Sequence, residues 1–211
     1  MSAAPAPAPA PSRWRAGPRR LARLLTGLWL FGFGEGLLVV AGLGNSPWTV
    51  LAEGVSEHAP LAVGVATIAI SAVVLLLWIP LRQRPGLGTI ANAIVIGLAI
   101  DVAGAVVPDQ GQWAVRAGLL AAGIALVALG SGIYLGAALG PGPRDGLMTG
   151  LHRVTGRGIG VIRTAIEGSA LLGGFMLGGT VGIGTVAFAV TIGPGVAWML
   201  GALSSTPARE L

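Results

Sequence analysis

Lysine and cysteine are both absent from this chain of 211 residues, and charge of either sign is scarce. Without cysteine there is no disulfide, no zinc–thiolate site and no thiol redox chemistry. The only histidines, His58 and His152, have nothing near them at metal-ligand spacing, so neither a metal nor another cofactor is expected. Gly-x-Ser-x-Gly, His-Glu-x-x-His, Walker sequences and paired aspartates are missing too, and an enzyme is not expected. Only 10% of the residues are charged, against about a quarter in ordinary soluble domains. A soluble chain of this length needs a polar surface that such a composition cannot supply.

What remains is 54% hydrophobic, with a mean hydropathy of +0.82 and 36 glycines. Glycine at that level suits closely packed membrane helices. The chain therefore reads as an all-α integral membrane protein whose first partner is the lipid bilayer. Its net charge of +5 comes from arginines in short clusters between apolar runs. That placement encodes topology and does not point to a nucleic-acid partner.

Residues 1–18, with the run APAPAPAP, read as a disordered, extended tail. The apolar run from Leu24 to Leu43 follows five arginines and carries Glu35 at its middle, so it reads as a retained span and not a cleaved signal. Five further spans are expected at 60–80, 87–107, 115–139, 159–179 and 183–203, each near the ~20 residues a bilayer requires. Two intervening segments, 45–58 and 141–157, are too short and too polar to cross. Both start as helices do, with Pro47 or Pro143 at the first helical position. Leu147, Leu151 and Val154 then share one helix face. With the N-terminus in the cytoplasm, Arg82, Arg84, Arg144, Arg153, Arg157 and Arg209 all fall inside, as the positive-inside rule requires. Arg116 is the exception. Six spans in the cytoplasmic membrane, with both termini cytoplasmic, is the expected topology.

The chain also repeats. Residues 43–97 align with 139–193 without a gap and agree at 19 of 55 positions, where biased composition alone gives roughly a tenth. Each copy, 19–108 and 109–206, holds three spans and one short helix. An odd number of spans makes the copies face opposite ways, an architecture common in secondary transporters, where the substrate site lies between the repeats.

Charges within spans are functional candidates by default. At 1.5 Å per residue, Glu35 lies ~16 Å deep and Glu167 ~13 Å deep, while Asp101 lies nearer the outside. Arg163 precedes Glu167 by four residues and can pair with it, as a buried structural ion pair or as part of a site. Glu35, among Gly32, Gly34 and Gly36, has no partner on its own helix and is a candidate proton carrier or ligand contact. Trp48 begins the first short helix where Arg144 and Asp145 begin the second. Thr89 and Thr185 hold equivalent places, where a hydroxyl satisfies backbone or meets substrate. Trp29, Trp78, Trp113 and Trp198 read as interface anchors.

The stretches GPRDGLMTGL and RTAIEGSALLGGFMLGGTVGIGT resemble a bacterial membrane family, the YczE-like branch of the YitT-type proteins, over about residues 22–203. In GNSPWTVL, Thr49 stands where that family often has an acid, whereas Asp145 keeps the acid in the second copy. The resemblance implies a six-span protein of the cytoplasmic membrane with transport suspected. The expected function is passage of a small polar or amphipathic solute, with Arg144 and Asp145 at an inner mouth and Trp48 and Glu53 at an outer one. Proton coupling would run through Glu35 or Glu167. The alternative is a non-transporting scaffold or regulatory protein, and homo-oligomerisation is left open.

Overall fold

The computed structural model describes residues 13–108 and 111–204. Most of the expected tail (1–12), Asp109 and Arg209 lie outside the described residues. Eight helices follow in order: α1 (Pro18–Ala41), α2 (Pro47–His58), α3 (Val63–Leu77), α4 (Leu87–Val106), α5 (Trp113–Leu135), α6 (Pro143–Thr155), α7 (Ile159–Met176) and α8 (Ile183–Ser204). No strand occurs among the described residues. Proline opens α1, α2 and α6 at a position where its missing N–H costs nothing. Gly42 and Gly156 close α1 and α6 in the left-handed conformation that glycine tolerates best.

Five helices, α1, α4, α5, α7 and α8, are long and apolar enough to cross a bilayer. The expected span at 60–80 is shorter than anticipated. Helix α3 has 15 residues, roughly 22 Å at the helical rise, and Trp78 to Arg82 leave the helix in turns. Helix α2 reaches α3 through a bend of 110°. The last residues of the expected tail are also anchored, since the Arg13 carbonyl accepts the Leu87 N–H at 3.0 Å.

Helices α1 and α5 cross at the centre, antiparallel, with glycine removing side chains from the contact. A Cβ on Gly34 would sit 2.7 Å from the Gly123 carbonyl oxygen, and a Cβ on Gly123 would sit 2.7 Å from that of Gly34. Gly27 and Gly130 make the same kind of contact further along. An arginine near the start of each helix bonds the carbonyls at the end of the other. Arg20 donates to Ala137 and Ala138, both at 3.0 Å. Arg116 donates to Ala41 at 2.6 Å and Gly42 at 2.7 Å. A cation at a helix C-terminus satisfies orphan carbonyls and the helix dipole together. This gives Arg116, the exception to the charge rule, a structural occupation.

Around this crossing, α4 packs on α1 and α8 on α5, while α2 lies against α7 and α6 against α3. The Gly88 N–H bonds the Leu139 carbonyl at 2.9 Å, and the Gly184 N–H bonds that of Leu43 at 2.8 Å. These two bonds, the two arginine caps and the glycine contacts each recur 96 residues along the chain. The positive-φ positions follow suit: Gly44 with Gly140, Gly42 with Ala138, and Arg82 with Gly178.

The crossing tolerates no side chain. Gly130→Leu should cost about 1–3 kcal/mol through overpacking. Gly118→Leu, which has nothing within 4 Å of its Cβ, should be near neutral. Thermal unfolding of the two variants in detergent checks the contrast, and equal melting would contradict the contact.

Candidate functional site

The N-termini of the two short helices converge. Ser46, Trp48 and Thr49 from the start of α2, and Gly142 to Asp145 from the start of α6, line one cavity with Phe31 and Glu35 of α1. Helices α3 and α4 complete it. Its volume is about 70 Å³, room for two waters at ~30 Å³ each or a solute of a few heavy atoms. Two helix N-termini give the cavity a positive dipole bias.

Glu35 is buried here, and its partners come from a neighbouring helix. Ser46 Oγ and Thr49 Oγ1 each donate to Glu35 Oε2 at 2.8 Å, and the two hydroxyls lie 3.1 Å apart. The carboxyl group therefore closes the start of α2 from outside the helix. Thr49, at the position where an acid is often found in the resembled family, supplies one of the two hydroxyls. Sequence reasoning noted its departure from pattern and missed its partner, because Ser46 and Thr49 reach Glu35 across 11 and 14 residues.

Arg144 sits with its guanidinium carbon 5.4 Å from the Phe31 ring centroid, a cation–π distance. Phe31 meets Tyr134 edge to face, with centroids 6.2 Å apart. Burial works against the Arg144 charge, and Asp145 beside it is the neighbour that favours it most. The cavity thus presents Glu35, Asp145 and a charged Arg144. The indole N–H of Trp48, which lines the same cavity, is buried without a hydrogen-bond partner among the described residues.

Arg144 and Asp145 also line a second, larger cleft of about 320 Å³, bounded by α5, α7 and α8. Arg163 and Glu167 stand on its wall and pair at 3.1 Å. The expected pair forms, but neither member is sealed inside the protein, with side chains 55% and 28% exposed.

The two cavities share part of their lining through the repeat, at six pairs of positions. Glu35, Trp48, Thr49, Thr67, Ser71 and Ile96 line the first, and Ser131, Arg144, Asp145, Arg163, Glu167 and Ile192 line the second. Each residue of the second set is 96 positions beyond its counterpart. Thr67 and Ser71 were not singled out in the sequence; the signal was available as the positions matching Arg163 and Glu167.

Other expected residues serve the framework. Pro47 and Pro143 start the short helices, and the Pro143 carbonyl accepts the Trp78 indole N–H at 2.9 Å. Trp78 is therefore buried against α6 and is not an interface anchor. Asp101 accepts the Gly64 N–H at 2.7 Å, capping α3. Thr89 donates to the Pro141 carbonyl at 2.8 Å and accepts the Gly86 N–H at 3.0 Å. Thr185 accepts the Gly182 N–H at 3.3 Å. Glu53 lines neither cavity. Its carboxylate accepts from Asn45 Nδ2 at 2.8 Å, from the Thr180 N–H at 2.6 Å and from Thr180 Oγ1 at 2.8 Å. The two bonds to Thr180 tie α2 to the segment between α7 and α8, and the third ties it to the loop after α1.

Residues 18–201 match the model of a family of unknown function, DUF6198. A protein of Haemophilus influenzae described as an uncharacterized protein is 40% identical over 93% of this chain and 90% of its own length. The uncharacterized membrane protein YczE of Bacillus subtilis is 31% identical, with 79% of each chain covered. The uncharacterized protein YyaS of the same organism is 29% identical over 76% of this chain and 82% of its own length. No solved structure matches.

Removing one hydroxyl from Glu35 tests the arrangement. Thr49→Val, close in shape, should destabilise the protein by about 1.5–3 kcal/mol, the range for a hydrogen bond to a charged group. Thr67→Val, on the opposite wall, should cost less. Melting temperatures of the purified variants check the order, and no loss in Thr49→Val would mean that the bond to Glu35 carries no stability.

Proposed function

We propose that this chain, which belongs to the YczE-like membrane family DUF6198, moves a small polar solute across the bilayer by alternating access. The observation that carries the reading is that two cavities draw on six matched pairs of positions 96 residues apart, with Arg144 and Asp145 in the wall common to both. A scaffold has no need of two cavities that share a wall and match at six pairs of positions.

Residues 19–108 and 109–206 are, on this reading, two inverted three-span repeats, with the 15-residue α3 counted as a short span. The antiparallel α1–α5 crossing, the reciprocal arginine caps and the paired loop bonds support that arrangement, since a twofold axis in the membrane plane would generate each from its counterpart. Both short helices then aim their N-termini at the midplane, where the dipoles favour anionic groups of a solute. Both termini of the chain face the cytoplasm. The three bonds of Glu53 close the outer side, and the cleft of α7 and α8 opens toward the inner one.

The few polar groups set in an otherwise apolar lining support a small polar or amphipathic solute. Arg144 and the Trp48 N–H offer donors to an acidic or carbonyl group, and Glu35 and Asp145 offer acceptors to a hydroxyl or amine. Glu35 is the coupling candidate. A carboxyl at this depth is costly to keep, and proton uptake would weaken the bonds it accepts from Ser46 and Thr49.

Glu35→Gln tests the reading in vesicles loaded with a pH-sensitive dye and challenged with a panel of amino acids, small carboxylates and amines. The wild type should move protons with at least one solute, and the variant should lose that flux at near-normal folded yield. Flux retained in Glu35→Gln would remove Glu35 from the coupling. No flux from the wild type with any member of the panel would count against transport.

A further inference from the structure

Equivalent halves of one chain need not be in equivalent states. In the first half, α3 and α4 touch through Gly64 and Gly97, where a Cβ on either would collide with the other's carbonyl. Asp101 holds the contact by accepting the Gly64 N–H at 2.7 Å. The corresponding residues of the second half are Gly160 on α7 and Gly193 on α8, and neither has any atom within 4 Å of the position its Cβ would take. The counterpart of Asp101 is Ala197, which can accept nothing. The larger cleft lies beside this gap, and α8 is buried along only 6% of its spanning stretch.

We infer that α7 and α8 are a gate, which closes through Gly160 and Gly193 as α3 and α4 are closed through Gly64 and Gly97. Closure converts the open cleft into a second enclosed solute cavity, lined by Ser131, Arg144, Asp145, Arg163 and Glu167. The inference deepens the transport reading and rests on it for the solute, though the movement itself can be tested without one.

Two features make this pair the mobile one. The glycines at 160 and 193 leave room for backbone approach, a packing mode that small residues allow between membrane helices. The missing acid at 197 leaves the approach without a latch, so the closed form is reached and left readily. Helices α3 and α4, with Asp101 in place, are held. A second asymmetry agrees with this one. Gly174 lets α7 meet the backbone of Val50 and Leu51 on α2, whereas its counterpart Trp78 puts an indole ring between α3 and α6. The start of α7–α8 motion is therefore on the Arg163 side, away from the Gly174 contact.

The 211-residue chain has no cysteine, so Gly160→Cys with Gly193→Cys gives a clean pair. In lipid nanodiscs with a mild oxidant, the two thiols should form an intramolecular disulfide within minutes, read by mass spectrometry. Failure to form it, while a long bis-maleimide bridges the same pair, would fix the helices apart and overturn the gate. Ala197→Asp supplies the missing latch as an independent arm. It should slow maleimide labelling of Arg163→Cys by about fivefold or more, the weight of one net hydrogen bond. Unchanged labelling in a folded Ala197→Asp protein would contradict closure on Gly160. If the disulfide forms and the latch slows labelling but no solute is moved by the wild type, the gate stands and the transport reading falls.

Discussion

The crossing of α1 and α5 constrains everything else in this molecule. Two long helices meet backbone to backbone at Gly27 with Gly130 and Gly34 with Gly123, and lipid offers no hydrophobic drive to hold them. Close packing and the reciprocal caps of Arg20 and Arg116 supply the attraction instead. Once those axes are set, the chain leaving each helix turns at once, through Gly44 or Gly140, into a short helix that begins inside the bundle. The cavity is the space left where those two beginnings meet.

Polar groups at such depth have to be answered by protein, because lipid cannot answer them. Glu35 answers the start of α2 through Ser46 and Thr49, Asp101 answers the start of α3, and Glu53 ties Asn45 to Thr180. The second half uses the same positions differently. It has Ser131 where the first has Glu35, and an exposed Arg163–Glu167 pair where the first has Thr67 and Ser71. Acids that hold the first half together thus have weaker counterparts in the second. The open cleft lies where they are missing.

Much of this architecture was legible in the sequence. Hydrophobic runs of about 20 residues marked the long helices, and Pro47 and Pro143 marked both short ones. The 96-residue offset pairs them in the sequence itself. The length of α3 was not legible, because Trp78 and Ile79 are as apolar as a span requires but turn out of the helix so that Trp78 can reach Pro143. Contacts between helices were also beyond reach. Nothing local says that Glu35 meets Ser46, that Arg116 caps α1, or that Asp101 caps α3, since each depends on how the helices cross. Arg163 and Glu167 paired as their spacing suggested, but only packing could say that their side chains would stand at a cleft.

The transport reading rests on the proposal that the two halves face opposite ways around a shared cavity wall. Opposed halves would put the end of α2 and the end of α6 on different sides of the membrane. The direct measurement is labelling of single cysteines, Ser56→Cys and Thr155→Cys, in intact cells with an impermeant maleimide. Ser56→Cys should react from outside and Thr155→Cys only after permeabilisation. Equal external labelling of both would contradict the opposed halves and the shared pathway built on them.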